Sequence, residues 1–148
     1  MKPHLQYLWY VLRHKWFVLV AGLTYKVPIW QLLIHDLSKF SPAEWSGYVR
    51  WFMVKDKSPE AKAEFDTAWE HHWMSNPHHW QYWAGGDGSF LMPMPHHYAR
   101  EMVADWAGAG RAITGRWEVE AWYSKTKEDK ILHADTRAFV ERLLDEHR

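Results

Sequence analysis

Residues 5–20 read LQYLWYVLRHKWFVLV, and the reading of this stretch decides the fold. Leu5, Leu8, Trp9, Leu12, Trp16, Leu19 and Val20 recur at three- and four-residue steps, the period of one apolar face of an α-helix. A core helix over residues 4–22 is expected. Arg13, His14 and Lys15 interrupt the run and no small-residue cleavage site follows a charged start, which argues against a signal peptide or a membrane span. The expectation is a cytoplasmic protein with no membrane partner.

Working outward, Gly22 closes this helix. Pro28 suits the first turn of a second, running through Ile29, Leu32, Leu33 and Leu37, with His35 and Asp36 near its end. Ser41-Pro42-Ala43-Glu44 carries an N-cap, a first-turn proline and a capping-box acid, predicting a third helix to about Val54. Ser58-Pro59-Glu60 repeats that signal less perfectly for a fourth helix to about Ser75. Asn76-Pro77 stops it, because a residue before proline avoids helical dihedrals. A short helical turn through Tyr82 follows. Gly85, Gly86, Gly88 and Pro93 make residues 84–94 a loop or lid with room for a small hairpin. Pro95 then opens a helix through Tyr98, Met102, Val103 and Trp106, ending near Gly108 or Gly110, and residues 117–125 and 136–146 supply two more. The fold class is all-α: one domain over residues 1–148, built from six or seven helices.

Eighteen basic side chains balance eighteen acidic ones, so the broad positive field of a nucleic-acid binder is absent. With no cysteine, any metal must be held by nitrogen and oxygen. Twelve tryptophans and eleven histidines stand out, the histidines partly in adjacent pairs at 71/72, 78/79 and 96/97. Aromatic wealth suits a core, an enclosed pocket or a protein interface, and leaves room for a homo-oligomer. There is no Gly-x-x-x-x-Gly-Lys loop, Gly-x-Ser-x-Gly, His-Glu-x-x-His or Rossmann glycine fingerprint.

The strongest chemical element is His35-Asp36-Leu37-Ser38-Lys39. Adjacent side chains on a helix diverge by about 100°, yet at a helix end both can reach one metal or bracket a pair. A single histidine more often satisfies a carbonyl, and histidines beside tryptophan can be ordinary surface. Here, however, the chain runs His14, then His35-Asp36, then His71, His72, His78 and His79, then Asp105.

That order, with a helix under each element, resembles the HD superfamily of metal-dependent phosphohydrolases and related diiron oxygenases over residues 10–110. His35-Asp36-Leu37-Ser38-Lys39 looks like its His-Asp-x-Gly-Lys segment, with serine in place of glycine. Residues 69–80 and 101–106 also look like those of a short uncharacterised phage and bacterial family. The resemblance implies an HD-like helical domain in which His14, His35, Asp36 and Asp105 are metal ligands and Asp36 can bridge two ions. In binuclear relatives the two middle histidines stand far apart in sequence, whereas the candidates here are seven residues apart. The second ion would take His72 and His79, the preferred pair, or His71 and His78, with Pro77 breaking the helical register between them. Imidazole and carboxylate suit one or two divalent ions of Mn, Fe, Zn, Ni or Co. Lys39 is a candidate to meet a substrate phosphate, and Glu101 to accept a proton or orient a ligand. Arg50 and Arg100 are weaker phosphate candidates, and His96 and His97 could line the site. The implied function is hydrolysis of a small phosphorylated molecule such as a nucleotide. The alternatives are a diiron oxygenase with the same ligands and a non-catalytic binding module.

Overall fold

A computed structural model describes residues 2–147. All regular structure among the described residues is helical, with seven α-helices: α1 (Pro3–Thr24), α2 (Ile29–Ile34), α3 (Pro42–Tyr48), α4 (Pro59–Ser75), α5 (His96–Thr114), α6 (Val119–Thr126) and α7 (Ala134–Asp145). Short 3-10 turns cover Leu37–Phe40, Trp80–Trp83 and Lys127–Asp129, and a π-helical segment, Val49–Val54, extends α3. No described helix is long and apolar enough to cross a membrane.

The long helices α1 and α5 form the spine. A Cβ added at Gly108 would lie 2.6 Å from the backbone nitrogen of Val18, so only glycine lets the two backbones come this close. Around that contact Val18, Ala21, Met102, Val103 and Ala107 pack with Val140, Leu143 and Leu144 of α7. A second cluster, Tyr7, Val11, Tyr48, Val49 and Ala68, joins α1 to α3 and α4. The candidate site lies in the gap that these two clusters flank.

Several expectations are corrected. Helix α1 is where its period placed it, but it turns Tyr7, Val11, His14, Val18 and Ala21 inward, while Trp9 and Trp16 of the more strongly apolar stripe are 62% and 61% exposed. Close packing against α5 takes the small Val18 and Ala21, while Tyr7 and Val11 fill the cluster with Tyr48 and Val49. The second helix ends at Ile34 rather than running through Leu37. The expected capping box at Ser41 does not form: no cap bond is made by the Ser41 side chain, and Glu44 is fully buried, engaged elsewhere. The weaker-looking signal is the real cap, Ser58 Oγ accepting from the Ala61 amide at 3.2 Å. Helix α5 runs through Gly108 and Gly110 to Thr114 and ends on left-handed Gly115 (φ 76°). Residues 84–94 form a loop with no strand pairing, tied down where the Met94 amide donates to Thr136 Oγ1 at 2.8 Å.

Candidate metal centre

Two interrupted helices build the site, and each solves the same geometric problem. On a continuous helix His35 and Asp36 would point about 100° apart. Instead α2 stops, His35 takes an extended ψ of 125° and Asp36 enters the left-handed region at φ 55°, where Asp is among the few residues other than glycine found with any frequency. Both side chains then point into the interior and both are buried. The Lys15 ammonium donates to the His35 carbonyl and fastens this turn to α1. At the second break Pro77 ends α4 and His79 is extended (φ −84°, ψ 132°), so His78 and His79 both turn inward beside His72. Asn76 holds the break, donating to the His72 carbonyl and to Ser38 Oγ, each at 2.7 Å.

Around Asp36 the donors fall into two groups, one for each carboxylate oxygen. Oδ2 lies 3.2 Å from His14 Nε2 and 3.5 Å from His35 Nε2. Asp105 Oδ1 stands 3.1 Å from the first of these nitrogens and 3.4 Å from the second, and the two nitrogens are 3.4 Å apart. Such spacings fall within the range of edges, about 2.8–3.1 Å for an octahedron and about 3.3–3.6 Å for a tetrahedron, of donors about 2.0–2.2 Å from a central cation. On the other side Oδ1 faces His72 Nε2 at 3.4 Å and His78 Nε2 at 3.3 Å. His79 joins them, the four residues offering ligand atoms within 4.8 Å of one another. Asp36 Oδ1, His78 Nε2 and His79 Nε2 are buried without a hydrogen-bond partner, so three potential ligand atoms converge with their hydrogen-bonding capacity unmet. The residues present therefore fit a divalent cation in either group.

Behind the imidazoles sits a layer of carboxylates. Glu101 Oε1 lies 3.0 Å from His35 Nδ1 and 3.3 Å from His78 Nδ1, while Oε2 accepts from Gln31 Nε2 at 2.6 Å. Glu44 Oε2 accepts from His72 Nδ1 at 2.8 Å, and Oε1 from His71 Nδ1 at 2.8 Å. A carboxylate on Nδ1 fixes the tautomer and leaves Nε2 free to bind a metal.

The charges follow from this wiring. Burial works to raise the Asp36 carboxyl, but His35, Lys39 and His72 hold it well below the usual range. Burial likewise opposes ionisation of Glu101, and hydrogen bonds from His35 and His78 overcome it, bringing the group to about 2. Burial would lower His78, yet Asp36 and Glu101 raise it to about 10. For His79 burial and the neighbouring His78 and His72 act together, and its pKa falls well below normal. Lys39 Nζ sits 2.5 Å from Asp36 Oδ2; Asp36 and Asp105 outweigh its burial and keep it protonated.

A cleft of about 570 Å³ opens onto His14, Lys39, His72, His79 and Asp105. Its walls are Tyr7, Tyr10, Tyr48, Phe52, Trp69, Trp80, Trp106 and Trp122, with Lys130 also lining it. The hydroxyls of Tyr7 and Tyr48 are buried there without partners, and burial pushes both phenols up, so both remain O–H donors. A cleft of similar size, about 590 Å³ beside Val20, Tyr25 and Trp117, has none of the clustered donors.

All six residues expected as ligands, His14, His35, Asp36, His72, His79 and Asp105, are gathered here. The two histidine pairs are not alternatives, since His78 joins His72 and His79, while the His71 side chain is 42% exposed and turned to Glu44. Glu101 lies behind the histidines, against His35 and His78, and not among the residues lining the cleft, a position that suits ligand orientation, one of its two expected roles. Arg50 pairs with Asp56 and Glu64, Arg100 donates to the Tyr25 carbonyl, and His96 stacks on Phe139; none lines the cleft. Sequence reasoning missed Glu44, hidden by its capping-box spacing, and Tyr7 and Tyr48, which look like ordinary core aromatics.

A family model described as a family of unknown function (DUF5662) matches residues 3–146. No curated protein and no solved structure matches the chain.

Proposed function

Since this chain belongs to the DUF5662 family of unknown function, its chemistry must be argued from the site, and we propose that it is a metal-dependent phosphohydrolase of the HD type acting on a small phosphorylated substrate. The observation that carries this reading is the Asp36 carboxylate, whose two oxygens each face a separate group of His and Asp donors beside a charged lysine at the floor of a cleft. Divalent cations held there supply Lewis acidity toward a phosphoryl oxygen and lower the pKa of water.

The chain's own residues do the rest. Lys39 stays protonated and meets negative charge on the phosphoryl oxygens. Tyr7 and Tyr48 each offer an O–H that no protein acceptor uses, suited to a non-bridging oxygen. Glu101 and Glu44 hold the imidazoles in one tautomer. The aromatic walls exclude water and offer faces on which a planar base can stack, which makes nucleotides the first class to test.

A panel of nucleotides and model phosphoesters, assayed with Mn, Co, Ni, Zn and Fe(II), tests the reading. Turnover that needs metal and is lost in Asp36→Asn is expected. Tight metal binding with no hydrolysis of any panel member would refute it. A second reading, an iron oxygenase using the same donors, draws its support from the apolar wall of the cleft. Protein purified under controlled conditions with zinc or manganese and no visible absorption argues against that alternative.

A further inference from the structure

The apolar stripe of α1 continues onto a neighbour. Leu5, Trp9, Leu12, Trp16, Val20 and Leu23 are exposed along the whole outer side of the helix. Helix α2 runs back beside it, with Leu32 against Gly22 and the His35 carbonyl on Lys15, and α2 turns Ile29, Trp30, Leu33 and Ile34 outward too. Leu33 is 66% exposed and Trp30 54%. Taking about 250 Å² for a fully exposed tryptophan and about 180 Å² for leucine or isoleucine, this face presents on the order of 1,000 Å² of apolar side chain. A monomer's largest apolar patch is usually about 300–600 Å², and each side of a standard stable interface contributes about 800 Å².

We infer that this face is the docking surface for a second copy of the same chain, paired through α1 in an antiparallel, two-fold arrangement. The argument for self-pairing is the stripe's spacing. Leu5, Trp9, Leu12, Trp16, Leu19 and Leu23, of which Leu19 is half-buried at the edge of the stripe where it also packs on the core, are separated by four, three, four, three and four residues, the 3.5-residue period of a helix–helix seam. That series is also the same from either end. Antiparallel pairing centred near residue 14 sets Leu5 opposite the other copy's Leu23, Trp9 opposite its Leu19, and Leu12 opposite its Trp16. Both tryptophans of the α1 stripe thus meet a leucine, as alternating large and small knobs require, and a two-fold interface must be self-complementary in this way. Arg13 stands at the edge of the stripe with its guanidinium 5.8 Å from the Phe17 ring, and the stripe itself contains no acid or base. Helix α1 presents His14 on its opposite side, so pairing leaves the metal centre and its cleft uncovered. The pairing stands independently of the hydrolase reading.

Sedimentation equilibrium of the full chain at tens of micromolar tests the proposal. A mass about twice 17.8 kDa is expected for the wild type, and the single-chain mass for Leu12→Glu, whose side chain is exposed in the monomer, with helical content and metal stoichiometry unchanged. Orientation is tested by disulfide formation, since the chain has no cysteine of its own. Leu5→Cys mixed with Leu23→Cys should crosslink under mild oxidation, and Leu5→Cys alone should not, because disulfides need Cα atoms within about 7 Å. A monomeric wild type at these concentrations overturns the proposal, as does efficient crosslinking of Leu5→Cys with itself. A monomer that sediments with anionic phospholipid vesicles overturns it too, and would make the face a membrane surface.

Discussion

Replacing Glu101 by glutamine separates a group that orients ligands from one that moves protons. The change is nearly isosteric and the surroundings can absorb it: Gln31 now donates Nε2 to Glu101 Oε2 at 2.6 Å, and its own Oε1 is buried without a partner. Turning the Gln31 amide over lets it accept from the new side-chain nitrogen, so the fold should survive. What is lost is the negative charge facing His35 Nδ1 and His78 Nδ1, one imidazole from each donor group. Loss of such a partner typically costs 10–100-fold in metal affinity, or about 1.4–2.7 kcal/mol. The weakening should therefore appear in both binding steps. Glu44→Gln removes the negative charge facing His72 alone among the residues grouped around Asp36, so only one step should weaken. Titration calorimetry with Mn or Co, backed by chelator competition, reads both steps. If Glu101→Gln leaves both constants within about twofold of wild type while turnover falls, Glu101 is a proton carrier and the orienting role is wrong.

Asp36→Asn keeps a residue tolerated at φ 55° but removes the charge shared by both groups; loss of both ions is expected, against loss of one in Asp105→Asn, as counted by elemental analysis of folded protein. Acid should weaken the step that uses His78. Its pKa of about 10 in the metal-free protein means that a proton must leave before Nε2 can bind, so apparent affinity should rise about tenfold per pH unit between pH 7 and 9 with protons released; a pH-independent constant over that range would contradict the assignment. Saturating metal at about 100 times its dissociation constant should stabilise the fold by about 2.7 kcal/mol, raising Tm by roughly 5–11 °C, and a chelator should reverse this in differential scanning fluorimetry. Gly108→Ala forces a methyl group against the Val18 backbone and should cost about 1–3 kcal/mol in chemical denaturation, whether or not metal is bound.

How much of this was legible in the sequence depends on the kind of signal. Helical period located α1 and most of α5, and start and stop residues located α4, because both signals depend only on local sequence. The same period misassigned the inner face of α1, since the Trp and Leu stripe offers the larger apolar area, while the inward residues are chosen by tertiary contact: Tyr7 and Val11 fill the cluster with Tyr48 and Val49, and Val18 and Ala21 allow close packing on α5. The candidate ligands came from residue type and order, which survive folding. The second layer did not: Glu44 sits at the spacing of a capping box, and only tertiary contact reveals that its carboxylate serves His72 and His71. Pro77 was read correctly as a break but incorrectly as a choice between two histidine pairs.

That last error points to a rule of construction in this fold. A regular helix can bring residues i and i+4 together but sends neighbours apart. A chain that commits adjacent residues to one site must therefore end its helices there, and this one does so twice, with a left-handed Asp36 and with Pro77. Left-handed backbone costs about 1–2 kcal/mol for a residue with a Cβ, and such conformations persist where their surroundings over-determine them. Here Lys39 bonds the Asp36 carboxylate, Lys15 bonds the preceding carbonyl, and Glu101 holds His35. Lys39 thus has two tasks with one charge: it braces the turn that aims Asp36, and its ammonium reaches the cleft where an anionic substrate would lie. Replacing it should consequently disturb the Asp36 carboxylate as well as substrate affinity, whereas loss of the Tyr7 or Tyr48 hydroxyl, bonded to nothing in the protein, should be felt by substrate alone.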